Sequence, residues 1–568
     1  MSPQLPPVAP AVTADLVAAL SPRLRKRLDA GIAKLADRPV SRDGTTVRVA
    51  VDDTAHVELR APEGTVTRAD DIHCGCLLAP ACLHRAAVAS AAPIAEAVAA
   101  DTPAVDTETP TRTDRATAEQ TTAAHAVRAA AAAVLDAGTD GCGAVLQAEL
   151  LRAAHTARLA GLPRLAASAV SVVTALRAAR SADPAYRLAD LAATLGDTLA
   201  VAHRLPDAED SELAELRGTA RQPYRPDGSL RLYGLFSEPV LTASGFAGAV
   251  TWTADAEGRL YQVSDVAPGG PGRAVGAADR TVRVGDTALT HRELSRAGLA
   301  MSGATVSPSG RLGAGAGVRA VRAPGVEWRA EPVDRLWAVP AAEQVARALA
   351  GGSDLLFLEV TLSGTAHEAA GDCLLAEYEG GTVRLASAHD DPALPHRDNL
   401  RLLAAARGTR LRIVARLTPA PHARAALLAT EHPTVTGTRV DVGLDRLQRT
   451  DLPTTASAAA LDVPPVEEAP VHLLRRRVHQ AVAGGRRTLA FPGTLATDVR
   501  RLHAHGLGTA ADLLAELHAS ATERSRDVFG RLLPADTTRF ARGWLAATRY
   551  TAELDRALCA AAWGARAE

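Results

Sequence analysis

The sequence predicts an α+β multidomain protein: a small ββα module, a helical bundle, two β-rich domains and a helical C-terminal domain. Three observations predict it. At 568 residues the chain is longer than one hydrophobic core can serve. The apolar period changes along it, from helical over residues 118–216, to two beyond Pro223, and back to helical beyond residue 470. Connectors rich in Pro, Thr and Ala, near residues 101–115 and 453–470, separate these blocks. In order, the reading is a basic amphipathic helix (1–44), the ββα module (45–92), a linker (93–117), the bundle (118–220), a β-rich domain (221–345), a second β-rich domain (346–450), a linker (451–470) and the C-terminal helical domain (471–568).

Residues 1–12 are proline-rich and have neither the basic start nor the apolar stretch of a secretion signal. No run reaches the roughly 20 apolar residues that span a bilayer, so a cytoplasmic location is expected. Ser21 and Pro22 are a helix cap and first-turn proline, and Leu24, Leu28, Ile32 and Leu35 form an apolar stripe. Arg23, Lys26, Arg27 and Lys34 flank that stripe, as a solvated face or as phosphate contacts.

The module itself is read from alternation. Residues 46–51 place Val47, Val49 and Val51 on one face, and Asp52-Asp53 makes a turn. Residues 56–60 form a second strand with Val57 and Leu59 inward. After the turn at Pro62-Glu63-Gly64, residues 66–72 lead into Cys74. Cys74, Cys76, Cys82 and His84 then follow as Cys-x-Cys, a gap of five residues, and Cys-x-His, and the residues beyond Cys82 are good helix formers. Three thiolates and an imidazole suit one closed, tetrahedral, structural Zn²⁺ site that leaves no position for a reacting water. Disulfide pairing or free thiols are the alternatives, disulfides being disfavoured by the strain of a Cys-x-Cys ring and the absence of a secretion signal. His73, beside the first ligand, competes with His84 as the nitrogen donor.

This order and spacing resemble the SWIM-type zinc finger, over roughly residues 45–92, with all four ligand positions filled. The resemblance implies zinc binding and contact with DNA or with a protein. It also implies association with ATPase systems, as an adaptor, since the chain has no nucleotide-binding loop of its own. Residues 234–240 and 389–399 are similar to stretches in uncharacterised SWIM-finger proteins of high-GC bacteria.

Between the connectors, residues 118–137, 144–162, 164–182 and 186–205 read as four helices broken at Gly138, Pro163 and Pro184, an antiparallel bundle. His125, His155 and His203 in it read as surface or core residues rather than ligands. Residues 249–253 and 259–265 flank an Asp-Ala-Glu-Gly turn and predict a hairpin. Trp252, Trp328 and Trp337 read as core fillers, because no basic residues interleave with them. Strands at 355–362, 374–378, 382–386 and 411–417 suit a small barrel or sandwich, OB-like among the options.

A net charge of −1 removes the simplest argument for a nucleic-acid protein. The densest basic stretch is Arg475-Arg476-Arg477, with Arg486-Arg487 and Arg500-Arg501, read as a solvated helix face or as a nucleic-acid contact. The glycine-rich residues 310–317 lack the Gly-Lys-Ser/Thr of a phosphate loop, and His396-Arg397-Asp398 lacks the other parts of a kinase site. Two functional classes follow. One is a zinc-binding, non-enzymatic interaction protein whose finger binds a protein or DNA, protein being favoured by the charge balance. The other is an enzyme with its active site at His389, Asp390, Asp391, His396 and Asp398, and the finger as a targeting device.

Overall fold

The computed structural model describes residues 5–35, 38–51, 55–95, 114–219, 224–242, 246–313, 317–368, 371–454, 469–531, 533 and 536–565. The turn expected at Asp52-Asp53, most of both linkers, and residues 314–316 of the glycine-rich stretch lie outside them. The chain divides into two compact units: Met1–Arg221 with Ala469–Thr551, and Gln222–Glu468 with Ala552–Glu568.

The first unit begins with the cysteine module. Four antiparallel strands pair in sequence order, β1 (Val40–Asp43), β2 (Thr46–Ala50), β3 (His56–Arg60) and β4 (Ile72–Cys74). Val47, Val49, Val57, Leu59 and Ile72 turn to one face and are buried, as period-two alternation requires. Residues 66–72, expected to lead straight into Cys74, are loop and a 3₁₀ turn (Ala69–Asp71) up to Asp71, and the three residues Ile72–Cys74 add a strand paired with β3. The single basic helix expected at the start is three helices, Pro10–Ala18, Pro22–Arg25 and Leu28–Ala33. Ser21 does cap the second, its Oγ accepting the Leu24 N–H at 3.4 Å. Val12, Leu16, Leu28 and Leu35 share one core with the sheet and with the helix Leu83–Ala91. So small a sheet has too little core of its own, and the preceding helices supply the rest.

The four expected bundle helices are Ala118–Gly141, Ala144–Leu159, Pro163–Arg180 and Leu188–Arg204. Helices His472–Leu489, Leu495–Ala504 and Gly508–Thr522 and the start of Thr537–Ala562 belong to the same unit. Leu135, Leu151, Val172 and Leu199 share a single core cluster with Leu474, Val478, Leu514, Phe540 and Trp544. Two stretches read as separate helical domains therefore build one core, because periodicity shows that a helix has an apolar stripe but not what covers it. Trp544 anchors the late helices, donating from Nε1 to the Val478 carbonyl at 3.0 Å. His125, His155 and His203 are exposed.

Near their C-terminal ends the helices Ala118–Gly141 and His472–Leu489 cross with backbone against backbone. Gly138 (φ +67°) and Gly485 (φ +70°) each break their helix, and the breaks meet. A Cβ on Gly138 would lie 2.2 Å from the Gly485 nitrogen, and one on Gly485 would lie 2.4 Å from the Asp136 oxygen. Thr139 fastens the crossing, its Oγ1 donating to the Ala483 carbonyl at 2.7 Å.

The second unit holds the β-rich sequence. Strands β5 (Arg225–Leu241), β6 (Phe246–Ala254), β7 (Leu260–Pro268), β10 (Gly298–Val306) and β11 (Arg319–Ala323) form one antiparallel sheet in the order β11-β10-β5-β6-β7, beside a hairpin of β8 (Thr281–Val284) and β9 (Thr287–Thr290). The hairpin predicted at residues 249–265 is β6–β7, and its turn is held by Asp255 Oδ1, which accepts the N–H groups of Glu257 and Arg259. A second sheet contains β12 (Leu355–Ala366), β13 (Cys373–Tyr378), β14 (Gly381–Ser387), β15 (Arg410–Leu417), β16 (Arg424–Glu431) and β17 (Arg439–Asp441). Because β14 pairs in parallel with β16, β12, β13, β14, β16 and β15 close on themselves as a five-stranded barrel. Leu356, Leu358, Val360, Leu374, Val383 and Ile413 fill it. Outside it, Trp328 and Trp337 meet at a tilt and Trp337 meets Phe357 edge to face, with ring centroids 4.9 and 5.1 Å apart, as core. The two β-rich blocks are thus one packed unit. Among the described residues no helix is long and apolar enough to cross a membrane.

Gly138→Ala and Gly485→Ala should each destabilise the first unit. A non-glycine left-handed residue costs about 1–2 kcal/mol before the backbone overlap is counted. Urea titration followed by far-ultraviolet circular dichroism would show it, and a midpoint unchanged in both variants would contradict the crossing.

Candidate metal centre

Local folding brings the four sequence-predicted ligands together from three directions. Cys74 ends β4, registered against Val57 of β3. Cys76 lies one residue past Gly75, in a turn closed by the Ala79 N–H bonding to the Cys76 carbonyl at 3.1 Å. Cys82 is the N-cap of the helix Leu83–Ala91, and His84 stands in its first turn. One donor atom from each lies within 4.8 Å of all the others, and Cys74 Sγ is 3.7 Å from His84 Nδ1. A tetrahedral ion with bonds of about 2.3 Å to sulfur and about 2.0 Å to nitrogen separates such donors by roughly 3.5–3.8 Å, so the cluster can hold a metal ion with small side-chain movements. Among the described residues it is the one such group of His, Cys, Asp or Glu side chains.

The electrostatics of the cluster follow from crowding three thiols. Burial pushes Cys74 up to about 12 and raises Cys82 as well. At Cys76 burial opposes ionisation, but the backbone N–H of Leu78 and the thiols of Cys74 and Cys82 bring the net shift down. Backbone N–H groups of Cys76 and Arg85 point likewise at Cys74 and Cys82. Such donors favour thiolate, the form that binds metal. All six cysteines are free thiols, with Cys142, Cys373 and Cys559 buried elsewhere.

His73 is exposed and registered opposite Glu58, on the other face of β4 from Cys74, so His84 is the nitrogen donor. A residue that sequence reasoning missed is Arg85, only 6 % exposed. Its guanidinium donates to the carbonyls of Ile72 (2.5 Å), Pro80 (2.6 Å) and Ala69, tying the ligand-bearing helix to the strand and loop that carry the other two cysteines. The signal was present: Arg85 is the single Lys, Arg, Asp or Glu between Asp71 and Glu96. Also missed was the run Leu77, Leu78, Ala79, Pro80 and Ala81 between the ligands, every residue of which is exposed, Leu77 fully and Leu78 by 61 %.

The alternative polar group divides between the interior and the surface, with His389 near enough to His396 for its charge to lower the His396 pKa. His396 is 2 % exposed in the first turn of the helix His396–Ala405. Asp390 and Asp398 lie at the surface, Asp390 paired with Arg397 at 2.9 Å and Asp398 flanked by Arg401 and Arg446. His389 is half-buried and accepts the Asp391 N–H, while Asp391 caps Ala393, so both are spent on the loop. Asn399 is buried and bonds Val442, Asp445 and Leu447. His396 joins His291 and Asp441 as a titratable group interred in the second unit. Burial holds both imidazoles down to about 4 and raises Asp441 to about 6.

No family model, no curated protein sequence and no solved structure matches the chain.

Metal competition against a chromophoric chelator should separate the two histidines, with His84→Ala losing tight binding and His73→Ala retaining it. Arg85→Leu should weaken binding by about 10- to 100-fold, the usual effect of removing a group that orients metal ligands. Unaltered affinity in Arg85→Leu would refute that role.

Acid should weaken the second unit. The two imidazoles are depressed below their unfolded value near 6.5, so unfolding takes up two protons between about pH 6.5 and 4, whereas raised Asp441 releases one between about 6 and 4. Net uptake means stability present above pH 6.5 and lost on acidification, about 2 kcal/mol between pH 7 and pH 5. Urea midpoints at those two pH values give the sign directly.

Proposed function

We propose that the chain is a zinc-stabilised, non-enzymatic interaction protein whose N-terminal module is a SWIM-type finger that docks a protein partner. Zinc is the ion the donor set favours, since three thiolates and an imidazole in a tetrahedral, fully protein-filled shell suit it and leave no site for catalysis. The observation that carries the docking reading is the apolar knuckle. Five consecutive apolar residues, 77–81, stand exposed between two pairs of ligands, where the ligands fix them and no neighbour covers Leu77. A soluble surface avoids such a run unless something binds it. Between Cys74 and Cys82 there is no cationic side chain, so the knuckle offers a phosphate backbone nothing and an apolar groove two leucines.

We further read the barrel as an OB-type scaffold. Its order β12-β13-β14-β16-β15, the parallel β14–β16 pair and the helix His396–Ala405 between β14 and β15 support this. The outer positions of β13 and β14 carry Cys373, Leu375, Glu377, Thr382, Arg384 and Ala386, with no aromatic ring for a base, and Arg384 is held by Glu368 at 2.8 Å. That favours a supporting role over strand binding.

The test is affinity capture from the native cytosol by three forms of the full chain: wild type, Leu77→Asp/Leu78→Asp, and chelator-treated. A protein retained by the first and lost from both others, with the double variant still binding one metal, is the expected outcome. Burying two leucines is worth about 3–5 kcal/mol, so affinity for that purified protein should fall at least about 100-fold. Capture undiminished in the double variant would sink the docking surface, and DNA binding that weakens steeply with salt and ignores the substitutions would replace it with the DNA reading.

A further inference from the structure

Past the helix Gly508–Thr522 the chain of the first unit makes a closed loop. One buried side chain pinches its base: Arg486 donates to the carbonyls of Ser520, Ala521 and Glu523 on the outgoing side and of Asp536 on the returning side. Arg539 braces the same place, paired with Glu516 at 2.9 Å and with Glu523 at 3.1 Å. Beyond the base, Asp527 builds a tight turn. Its Oδ1 accepts the N–H groups of Phe529 (2.9 Å) and Arg531 (2.8 Å). The Gly530 N–H donates to the Asp527 carbonyl and the Asp527 N–H to the Arg531 carbonyl, both at 2.9 Å. Gly530 supplies the left-handed residue of the turn, at φ +78°.

At the apex stand two residues that turn chemistry does not call for, since Gly, Asn, Asp, Ser and Pro are the usual occupants. Val528 is 92 % and Phe529 81 % exposed. The turn is closed by main-chain groups and Asp527 alone, so neither apolar side chain is needed to form it. Three guanidiniums surround them. Arg526 Nη1 donates to the Gly530 carbonyl at 2.6 Å, which sets its charge beside Phe529. Arg524 donates to the carbonyls of Ala521 and Glu523, and Arg531 follows the turn, exposed. Bonds to carbonyls leave a guanidinium charged. None of the three has an ion pair among the described residues, and the single carboxylate among them, Asp527, is bonded to backbone N–H groups. Residues 524–531 thus set three arginines against one aspartate around an apolar apex.

We propose that this tip inserts Val528 and Phe529 into the surface of an anionic phospholipid bilayer, with Arg524, Arg526 and Arg531 on the headgroups. An exposed apolar patch with a polar rim marks a protein or a membrane contact, and here the rim decides. Apolar side chains enter a bilayer surface only about 5–10 Å, so an apex two residues wide reaches the acyl boundary while cations just behind it meet the phosphates. A protein groove would have to present a carboxylate to each guanidinium and desolvate every pair. The run 77–81 differs in this respect, having no cation between its cysteines. Because the turn is already built, little ordering is lost on insertion. The inference does not depend on the metal centre or its protein partner.

Co-sedimentation of the full chain with vesicles tests it, using an equal mixture of phosphatidylglycerol and phosphatidylcholine against phosphatidylcholine alone. Binding to the mixture, little to phosphatidylcholine, and weakening as salt rises are expected. Phe529→Asp should weaken binding at least about tenfold, and Arg531→Glu by about tenfold with a flatter salt dependence. Both side chains are exposed, so metal content and circular-dichroism melts should match wild type. Val528→Asp is the second apex variant if Phe529→Asp alters the melt. No binding to the anionic vesicles, equal binding to both kinds, or undiminished binding by an intact apex variant would each overturn the proposal. So would vesicle binding lost from Leu77→Asp/Leu78→Asp and kept by Phe529→Asp, which places the insertion at the knuckle. A wild type that ignores vesicles yet retains a protein that Phe529→Asp loses would give the tip to a protein groove instead.

Discussion

One clamp organises the N-terminal module: two pairs of side chains that can hold a metal ion, one on a strand and its turn and the other at a helix start, with Arg85 bridging the backbones that carry them. Arg85 satisfies three carbonyls of the Ala69–Pro80 segment at once, and a buried guanidinium is tolerated only when so saturated. The helix cannot leave the strand without exposing those carbonyls, nor the strand shift without scattering Cys74 and Cys76. The exposed run 77–81 stands between the two pairs, from Cys76 to Cys82.

The rest of the first unit is held by a different constraint, close backbone approach. The Gly138–Gly485 crossing lets a helix from early in the chain and one from late in it share a core although some 250 residues of β-rich sequence intervene. Arg486, one turn-position from that crossing, closes the late helices by capping their carbonyls. The basic stretch therefore divides: Arg477 and Arg486 are buried and bonded within the fold, and Arg476 faces solvent.

Legibility in the sequence followed the range of the forces involved. Alternation at Val47 to Leu59, the breaks at Pro163 and Pro184, and the Asp255 turn are local, and each reads correctly from neighbours in the chain. Ligand spacing is local too, so the four donors could be named before their geometry was seen. What escaped was long-range. Nothing near Gly138 indicates that Gly485 is its partner, and helical periodicity cannot tell one bundle from two. The polar letters at residues 389–398 resembled a site because spacing says nothing of direction: His396 turns inward while Asp390 and Asp398 turn outward. The 3₁₀ turn at Ala69–Asp71 was not legible either, since the guanidinium that takes the Ala69 and Ile72 carbonyls comes from Arg85, beyond the ligands.

X-ray absorption at the zinc edge on the purified, untagged chain probes the clamp most directly. One zinc per chain, with about three sulfur neighbours near 2.3 Å and one nitrogen near 2.0 Å, is the result this account requires. A metal-free protein with the same fold, or a shell of oxygen donors, would contradict it.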